Sequence, residues 1–296
     1  MEVDLEKQIE LPVHVDRRSR SPELSGLFFR LRPRHFSTFL GILLVGMIVF
    51  AAVFARVIAP SRPWASVAAP FQPPSLAHPF GTDDLGRDLF SGVVHGARTS
   101  LIVGLTVASL STLIGVILGA ASGYIGGLVD DGLMRFTEFF QTIPRFFLAL
   151  LAVALFKPGL QAITLILVLT SWSMTARLLR AQVLSVRERE FVIASKALGA
   201  NGLYLLWAHI LPNAIAPIVV HSTLMVGQVM LIEASLAYLG LGDPNNISWG
   251  YLLNNAQSFL RTAWWLPFFP GLALTLAVLG FNFVGDGIHH RITRTI

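Results

Sequence analysis

Apolar residues in this chain gather into runs of about twenty, and the polar stretches between them carry most of the charge. At about 1.5 Å of rise per residue, a helical run of that length covers a hydrocarbon core of roughly 30 Å. Each run therefore reads as a membrane-spanning helix. Residues 36–55 carry no charge and form the heart of a first span placed over 36–58. Residues 99–129 are a long uncharged run that contains the second. A third is placed over 133–156, with Glu138, Pro144 and Arg145 in its first half, which reads as interfacial or bundle-facing. Residues 158–176, 210–232 and 262–285 give the fourth, fifth and sixth. The pattern predicts an all-α polytopic membrane protein with six transmembrane helices, and no internal repeat is evident.

Counting Lys and Arg between the spans predicts the orientation. Residues 1–35 hold Lys7, Arg17, Arg18, Arg20, Arg30, Arg32 and Arg34; a polar insert at 177–209 holds Arg177, Arg180, Arg187, Arg189 and Lys196. The tail, 288–296, adds Arg291 and Arg294, whereas the facing loops at 59–98 and 237–261 hold Arg62, Arg87, Arg98 and Arg261. With six spans the richer set falls on one side, so both termini and the insert are expected in the cytoplasm. Residues 59–98 are then an outer loop, and 99–287 a five-helix domain. The first 35 residues read as a flexible cytoplasmic tail; they carry six acids and make too long a lead for a cleavable signal peptide.

Composition agrees. Hydrophobic residues make up 54% of the chain and charged residues 13%, against roughly a quarter charged in soluble domains. There is no cysteine, which excludes disulfide staples, thiolate metal sites and thiol nucleophiles. A net charge of +5 would suit nucleic acid, but the basic residues cluster at the ends of apolar runs without interleaved aromatics. Membrane lipid, and no nucleic acid, is the expected surrounding.

The insert is the most informative polar stretch. Residues 187–198 are helix-forming, with Phe191, Ala194 and Leu198 on one face. Gly199 follows where a helix commonly ends in a left-handed turn. A second short helix is predicted behind it, with Leu203, Leu206, Trp207 and Ile210 as its apolar stripe. The pattern alone leaves two readings, a docking surface or a helix lying on the membrane. The wording Glu190-Phe-Val-Ile-Ala-Ser-Lys-Ala-Leu-Gly199, then Trp207-Ala-His-Ile-Leu-Pro-Asn213, favours the first. It resembles the cytoplasmic coupling loop (the EAA loop) of ABC-importer permeases, most of all their peptide/nickel branch. Ala194, Ser195, Gly199, Leu211 and Pro212 fill the family's slots, while Ile193 replaces its usual acid and His209 its usual Ile. The resemblance implies a coupling loop at 184–212 whose first helix enters a cleft on an ATPase subunit. Glu190, Phe191, Ala194, Ser195, Ala197, Leu198 and Gly199 are then the coupling residues.

Further blocks extend the resemblance over about 54–287. His78-Pro-Phe-Gly-Thr-Asp-Asp-Leu-Gly-Arg-Asp88 precedes the second span, and Ser91-Gly92 stands where the branch has Ser-Arg. Its acids, with His78 and His95, lack a convincing ligand spacing, so the block reads as the exposed start of a helix rather than a metal site. Ser111, Gly115, Gly119 and Gly123 recur every four residues and mark a helix–helix interface, which spacing assigns neither to this subunit nor to a partner. Glu233, in Glu233-Ala-Ser-Leu-Ala-Tyr-Leu-Gly-Leu-Gly242, reads either as part of the substrate path or outer gate or as an exposed boundary acid. Asp243-Pro-Asn-Asn-Ile-Ser248 replaces the branch's Pro-Pro pair, and the tail after Gly287 is basic where the branch is acidic. His221 reads as a satisfied packing residue, and His289 and His290 as solvated.

Of three lysines none follows glycine, and neither His-Glu-x-x-His nor Gly-x-Ser-x-Gly occurs. No catalytic residue, metal or cofactor of its own is therefore expected. The resemblance implies a permease of a prokaryotic inner (plasma) membrane, paired with a homologous permease. It also implies two ATP-binding subunits that hold ATP and Mg, and an extracytoplasmic solute-binding protein delivering peptides or a related solute such as a nickel chelate. The alternative is an ion-coupled secondary transporter without an ATPase. Arg145 and Pro217 hint at it, but inverted repeats are absent and intramembrane charge is sparse.

Overall fold

A computed structural model describes residues 34–155 and 159–292. The tail at 1–33, residues 156–158, where the predicted third span ends and the predicted fourth begins, and the last four residues lie outside the described residues. Among the described residues the chain is helical, with two isolated β-bridges, Ser66 to Arg87 and Thr82 to Asp88. In order run α1 (Arg34–Val53), α2 (Ala55–Ile58), α3 (Leu89–Ile125), α4 (Gly127–Thr142), α5 (Arg145–Leu155), α6 (Leu160–Arg187) and α7 (Glu190–Ala197). Then come α8 (Gly202–Tyr204), a π-wound turn (Leu205–Ile210), α9 (Leu211–Ala214), α10 (Ala216–Leu236), a second π turn (Ala237–Leu241), α11 (Trp249–Ala256) and α12 (Trp265–Ile292).

Five helices are long and apolar enough to cross a membrane: α1, α3, α6, α10 with its π-wound end, and α12. The predicted third span is instead two helices of 16 and 11 residues. Pro144 explains the break. The residue before a proline is pushed out of the helical region, and Ile143 stands at φ −96°, ψ 126°. Both α4 and α5 pack along α6, in the place of that span.

Two boundaries differ from the sequence reading. α3 begins at Leu89, ten residues earlier than the loop 59–98 allowed, because Asp88 caps it. The Asp88 carboxylate accepts the Ser91 N–H at 2.8 Å and the Ser91 hydroxyl at 2.7 Å. With 37 residues α3 is about 55 Å long, well beyond the membrane core. α6 likewise continues to Arg187, so Arg177, Arg180 and Arg187 belong to a helix rather than to the insert.

The long helices meet through small residues. Gly115, Gly119 and Gly123 of α3 face Thr175, Ala176 and Val183 of α6, and the Ser111 hydroxyl donates to the Val168 carbonyl at 3.1 Å. The small-residue stripe is thus filled from within this chain. Gly41 and Gly280 bring α1 and α12 together in the same way, and Gly227 admits Val278 of α12 against α10. Lipid offers no hydrophobic drive between helices, so such close backbone approach supplies the attraction.

The segment before α3 is a folded knot rather than an exposed helix start. Asp83, Arg87 and Asp88 are all buried. Arg87 donates to Asp83 at 2.5 Å and lies over the Trp64 ring, while His78 meets Asp88 at 3.0 Å. Charge pairing inside the loop makes that burial tolerable. Trp265 of α12 donates to the Thr82 carbonyl at 3.1 Å and ties the knot to this end of the bundle. At the same end Asp243 accepts the Leu160 N–H at 3.1 Å, capping α6 from a distant loop.

Candidate functional site

At the opposite end of α6 the chain turns through Glu188 and Arg189 into α7. Of its eight residues Val192 alone is buried; Ser195 is half-buried and the rest are exposed. Val192 joins an apolar cluster with Leu179, Val183, Val186, Leu205 and Ile210. Glu190 lies in the first turn and Lys196 in the last, the arrangement the helix dipole favours. After Leu198 the chain leaves the helix through Gly199 at φ +87°. The Gly199 N–H reaches the Lys196 carbonyl at 3.0 Å, and the Ala200 N–H the Ser195 carbonyl at 3.2 Å. An added Cβ at Gly199 would meet nothing within 4 Å, so the backbone conformation, not space, calls for glycine.

The second helix of the insert does not present the predicted stripe. Leu205 and Ile210 are buried, while Leu203 and Trp207 are exposed. The cause is π winding: the Leu211 N–H bonds the Leu206 carbonyl, so residues five apart share a face. Pro212, which has no N–H to give, and Asn213, whose amide donates to the His209 carbonyl at 2.7 Å, close this turn. The winding brings His209 to α7, with its Nε2 3.4 Å from the Ser195 hydroxyl and its ring centroid 6.3 Å from that of Phe191.

The insert therefore offers a short helix held by one buried valine and one histidine. Around it Phe191, Ile193, Leu198, Leu203, Tyr204 and Trp207 are left exposed. Apolar side chains gathered at the tip of a polar insert mark an interaction surface rather than a core.

Its footing is firm. Arg180 of α6 makes a two-pronged pair with Asp130 at the start of α4, both contacts 2.5 Å, and the Ser122 hydroxyl of α3 also donates to Asp130. Arg187 donates to the Gly123 carbonyl at 3.1 Å. Sequence reading missed this clasp: Asp130 and Arg180 lie fifty residues apart on different helices, and no local pattern links them.

Glu233 lies near the other end, on α10, and is not exposed. It is 2% exposed. One carboxylate oxygen accepts the Ser248 hydroxyl at 2.8 Å, and the other has no partner among the described residues. Beside it Gly250 packs on Ala234, seating α11 against α10. Among the described residues no group of three His, Asp or Glu side chains is placed to hold a metal.

Comparison with known proteins places this architecture. The family described as "Binding-protein-dependent transport system inner membrane component" matches residues 111–296. The chain is 37% identical over 250 residues to the dipeptide transport system permease protein DppC of Alkalihalophilus pseudofirmus, covering 84% of this chain and 82% of that one. It is 39% identical over 248 residues to the oligopeptide transport system permease protein OppC of Bacillus subtilis, covering 83% and 80%. Its fold is similar to that of a chain of the inward-facing MetNI methionine ABC transporter, with a TM-score of 0.55 over 70% of this chain and 97% of that one. At 19% identity that likeness concerns the fold alone.

Proposed function

The chain belongs to the binding-protein-dependent transport system inner membrane component family, and from that premise we propose that it is one of two membrane subunits of an ATP-driven peptide importer. The observation that carries the reading is α7: an exposed helix, ringed by exposed apolar side chains, on a footing where α3, α4 and α6 are clamped together. In this reading α7 seats in a cleft of an ATP-binding subunit. Small Ala194 and Ala197 permit close approach, and Glu190 meets a basic partner. Leu198, 91% exposed, and Phe191 become buried on docking; full burial of such a side chain contributes about 1.5–3 kcal/mol. Gly199 ends the helix so that nothing beyond it blocks the cleft.

Movement of the ATP-binding subunits would reach the bundle by two routes. Val192 and the Ser195–His209 contact lead into α10. Val183, Val186 and Arg187 lead into α3 and α6. Clamped in this way the helices move as rigid bodies, as alternating access requires. Both termini and α7 face the cytoplasm, and an extracytoplasmic binding protein delivers the peptide to the knotted segment before α3 and the loop before α11. Glu233 is assigned to holding α11 against α10 through Ser248, one step behind the surface of the path. Peptides are favoured over nickel chelates because the curated relatives above are named for dipeptides and oligopeptides.

The test is purification of the tagged protein from its own membranes in mild detergent, with partners identified by mass spectrometry. The expected result is a homologous permease and one or two ATP-binding subunits in stoichiometric amounts. A stable preparation that never retains an ATP-binding subunit, in any of several detergents, would reject the proposal.

A further inference from the structure

One stripe of α10 stays exposed among the described residues. The helix packs against α3, α6 and α12 on its other sides, while Gln228, Leu231, Ser235 and Tyr238 are open. Their spacings of three, four and three residues place them along a single side of the helix. Glu233 faces away from it: two residues are about 200° round a helix, and its carboxylate is buried against Ser248. His221, two turns nearer α7, is no part of the stripe's open surface. Its Nε2 is buried and unpartnered among the described residues, so it is not the satisfied packing residue that its sequence position suggested.

Gln228 is out of place on a helix that faces only lipid. It sits at the middle of the 26-residue span Ala216–Leu241, with its side chain exposed. Its amide makes no hydrogen bond among the described residues. An amide left unsatisfied in hydrocarbon is costly, so polar residues at this depth face other protein or a water-filled path. The rest of the stripe decides between the two. Helices that seal against each other in lipid do so through small residues, as Gly115, Gly119 and Gly123 do against α6. Here Leu231 and Tyr238 are large, and the surface between them is hollow.

That hollow is an open groove of about 350 Å³, lined by Leu231, Ser235 and Tyr238 with Phe146 of α5, Leu253 of α11 and Leu274 of α12. Ligand pockets run from about 300 to 1,000 Å³. Its walls carry no ionised group. Gln228 lies one turn away, about 5 Å along the helix axis from Leu231. From Gln228 to Tyr238 the stripe runs about 15 Å, the length of four to five extended residues at about 3.3 Å each. A ligand on this stripe meets a group that both donates and accepts, then a hollow for an apolar side chain. A peptide carries the matching pair, since each residue brings a backbone N–H and C=O that must be satisfied away from water, and a side chain beside them.

We propose that this stripe is the chain's wall of the peptide path: Gln228 pairs with a backbone amide of the peptide in transit, and the groove between Leu231 and Tyr238 receives one of its apolar side chains. This assignment rests on the peptide-importer reading above. It makes the membrane subunit, not only the binding protein, a filter on peptide side chains, with a backbone contact that is indifferent to sequence.

The experiment uses the assembled transporter with its binding protein in vesicles, and two peptides, Ala-Phe-Ala and Ala-Ala-Ala. Ser235→Trp fills the groove and should lower the ratio of Ala-Phe-Ala to Ala-Ala-Ala uptake about tenfold, the scale of burying one phenylalanine side chain. Gln228→Leu should lower uptake of both peptides about fivefold, the scale of one lost hydrogen bond, and Gln228→Asn should lower it less. Recovery of the homologous permease and the ATP-binding subunits at the wild-type ratio shows that assembly is intact. Because the chain has no cysteine, Ser235→Cys adds a single thiol that decides the matter where tryptophan prevents assembly. That thiol should react with a water-soluble methanethiosulfonate, and more slowly with peptide-loaded than with empty binding protein, ATP being present in both. No loss with Gln228→Leu, an unchanged uptake ratio in assembled Ser235→Trp, or labelling that peptide does not slow would overturn the assignment. So would a Ser235→Cys thiol that resists the reagent and cross-links to the homologous permease, which would make the stripe a seam between subunits. Uptake of neither peptide by the wild-type complex would instead refute the importer reading, and this assignment with it.

Discussion

Replacing Gly115 by alanine tests the seam between α3 and α6. A Cβ there would lie 2.5 Å from Thr175 Cβ, 2.8 Å from Thr175 Cγ2 and 2.9 Å from the Trp172 carbonyl oxygen. Carbon atoms in ordinary contact sit about 3.5–4 Å apart. Neither a Cβ nor a backbone carbonyl can rotate away, so the two helices must part by roughly 1 Å. Overpacking of this kind typically costs about 1–3 kcal/mol. Alanine returns about 0.5–1 kcal/mol as the better helix former, leaving a net loss of up to about 2.5 kcal/mol. At Gly119 the added methyl would press on the Ala176 carbonyl, so Gly119→Ala should cost at least as much. Gly132, where nothing lies within 4 Å on exposed α4, supplies the control. There the same change should be neutral or stabilise by up to about 1 kcal/mol. The assay is unfolding of the purified protein by SDS or heat, followed by tryptophan fluorescence. Midpoints for Gly115→Ala and Gly119→Ala equal to that of Gly132→Ala would refute the reasoning.

Other expectations follow from the same geometry. Glu190→Lys should reduce the ATP-binding subunit recovered with the protein several-fold while leaving its unfolding midpoint unchanged; Gly199→Val, which forces a β-branched residue towards φ +87°, should reduce recovery similarly and lower the midpoint as well. Asp130→Asn should cost about 1–3 kcal/mol by leaving Arg180 unpaired, and swapping the two charges should restore part of it, read as the coupling in a double-mutant cycle. Asp243→Ala should cost about 1 kcal/mol by uncapping α6. Burial alone would raise the Asp243 carboxyl, but the N–H donors of Asn245, Asn246 and Leu160 outweigh it and hold it below the usual carboxylate range. Its stabilisation is therefore complete above that range and is lost as the pH falls through the lower folded-state value. Wild type and Asp243→Ala should then converge in stability at strongly acid pH, and a gap that persists there would contradict the capping role.

Five crossings could be read from the sequence because lipid-facing helices must be apolar along their whole length. The third could not be drawn as one helix, and Pro144 with Arg145 was the warning in the sequence. Helix ends were misjudged where polar residues find partners in the fold. Arg180 and Arg187 read as loop charge, yet Asp130 and the Gly123 carbonyl take them into a helix that simply continues. The knot before α3 misled for the same reason, since Arg87 pairs with Asp83 and Asp88 is held by His78 and Ser91. In the insert, the short helix and its terminal glycine were visible as a local pattern. The stripe behind it was not, because a helical period of 3.6 was assumed where the chain winds more widely ahead of Pro212. The clasp on Asp130 joins residues far apart in sequence, and single-sequence spacing carries no trace of such a pair.

The most direct measurement uses the absence of cysteine from the chain. Leu198→Cys places one thiol at the tip of α7, and Leu76→Cys, at a residue as exposed as any in the knotted segment, places one at the other end. In membranes the account predicts that Leu198→Cys cross-links to an ATP-binding subunit and escapes a membrane-impermeant maleimide added to intact cells. Leu76→Cys should be labelled from outside and give no such cross-link. Labelling of position 198 from outside, or a cross-link to an ATP-binding subunit from position 76, would contradict the coupling surface and the orientation together.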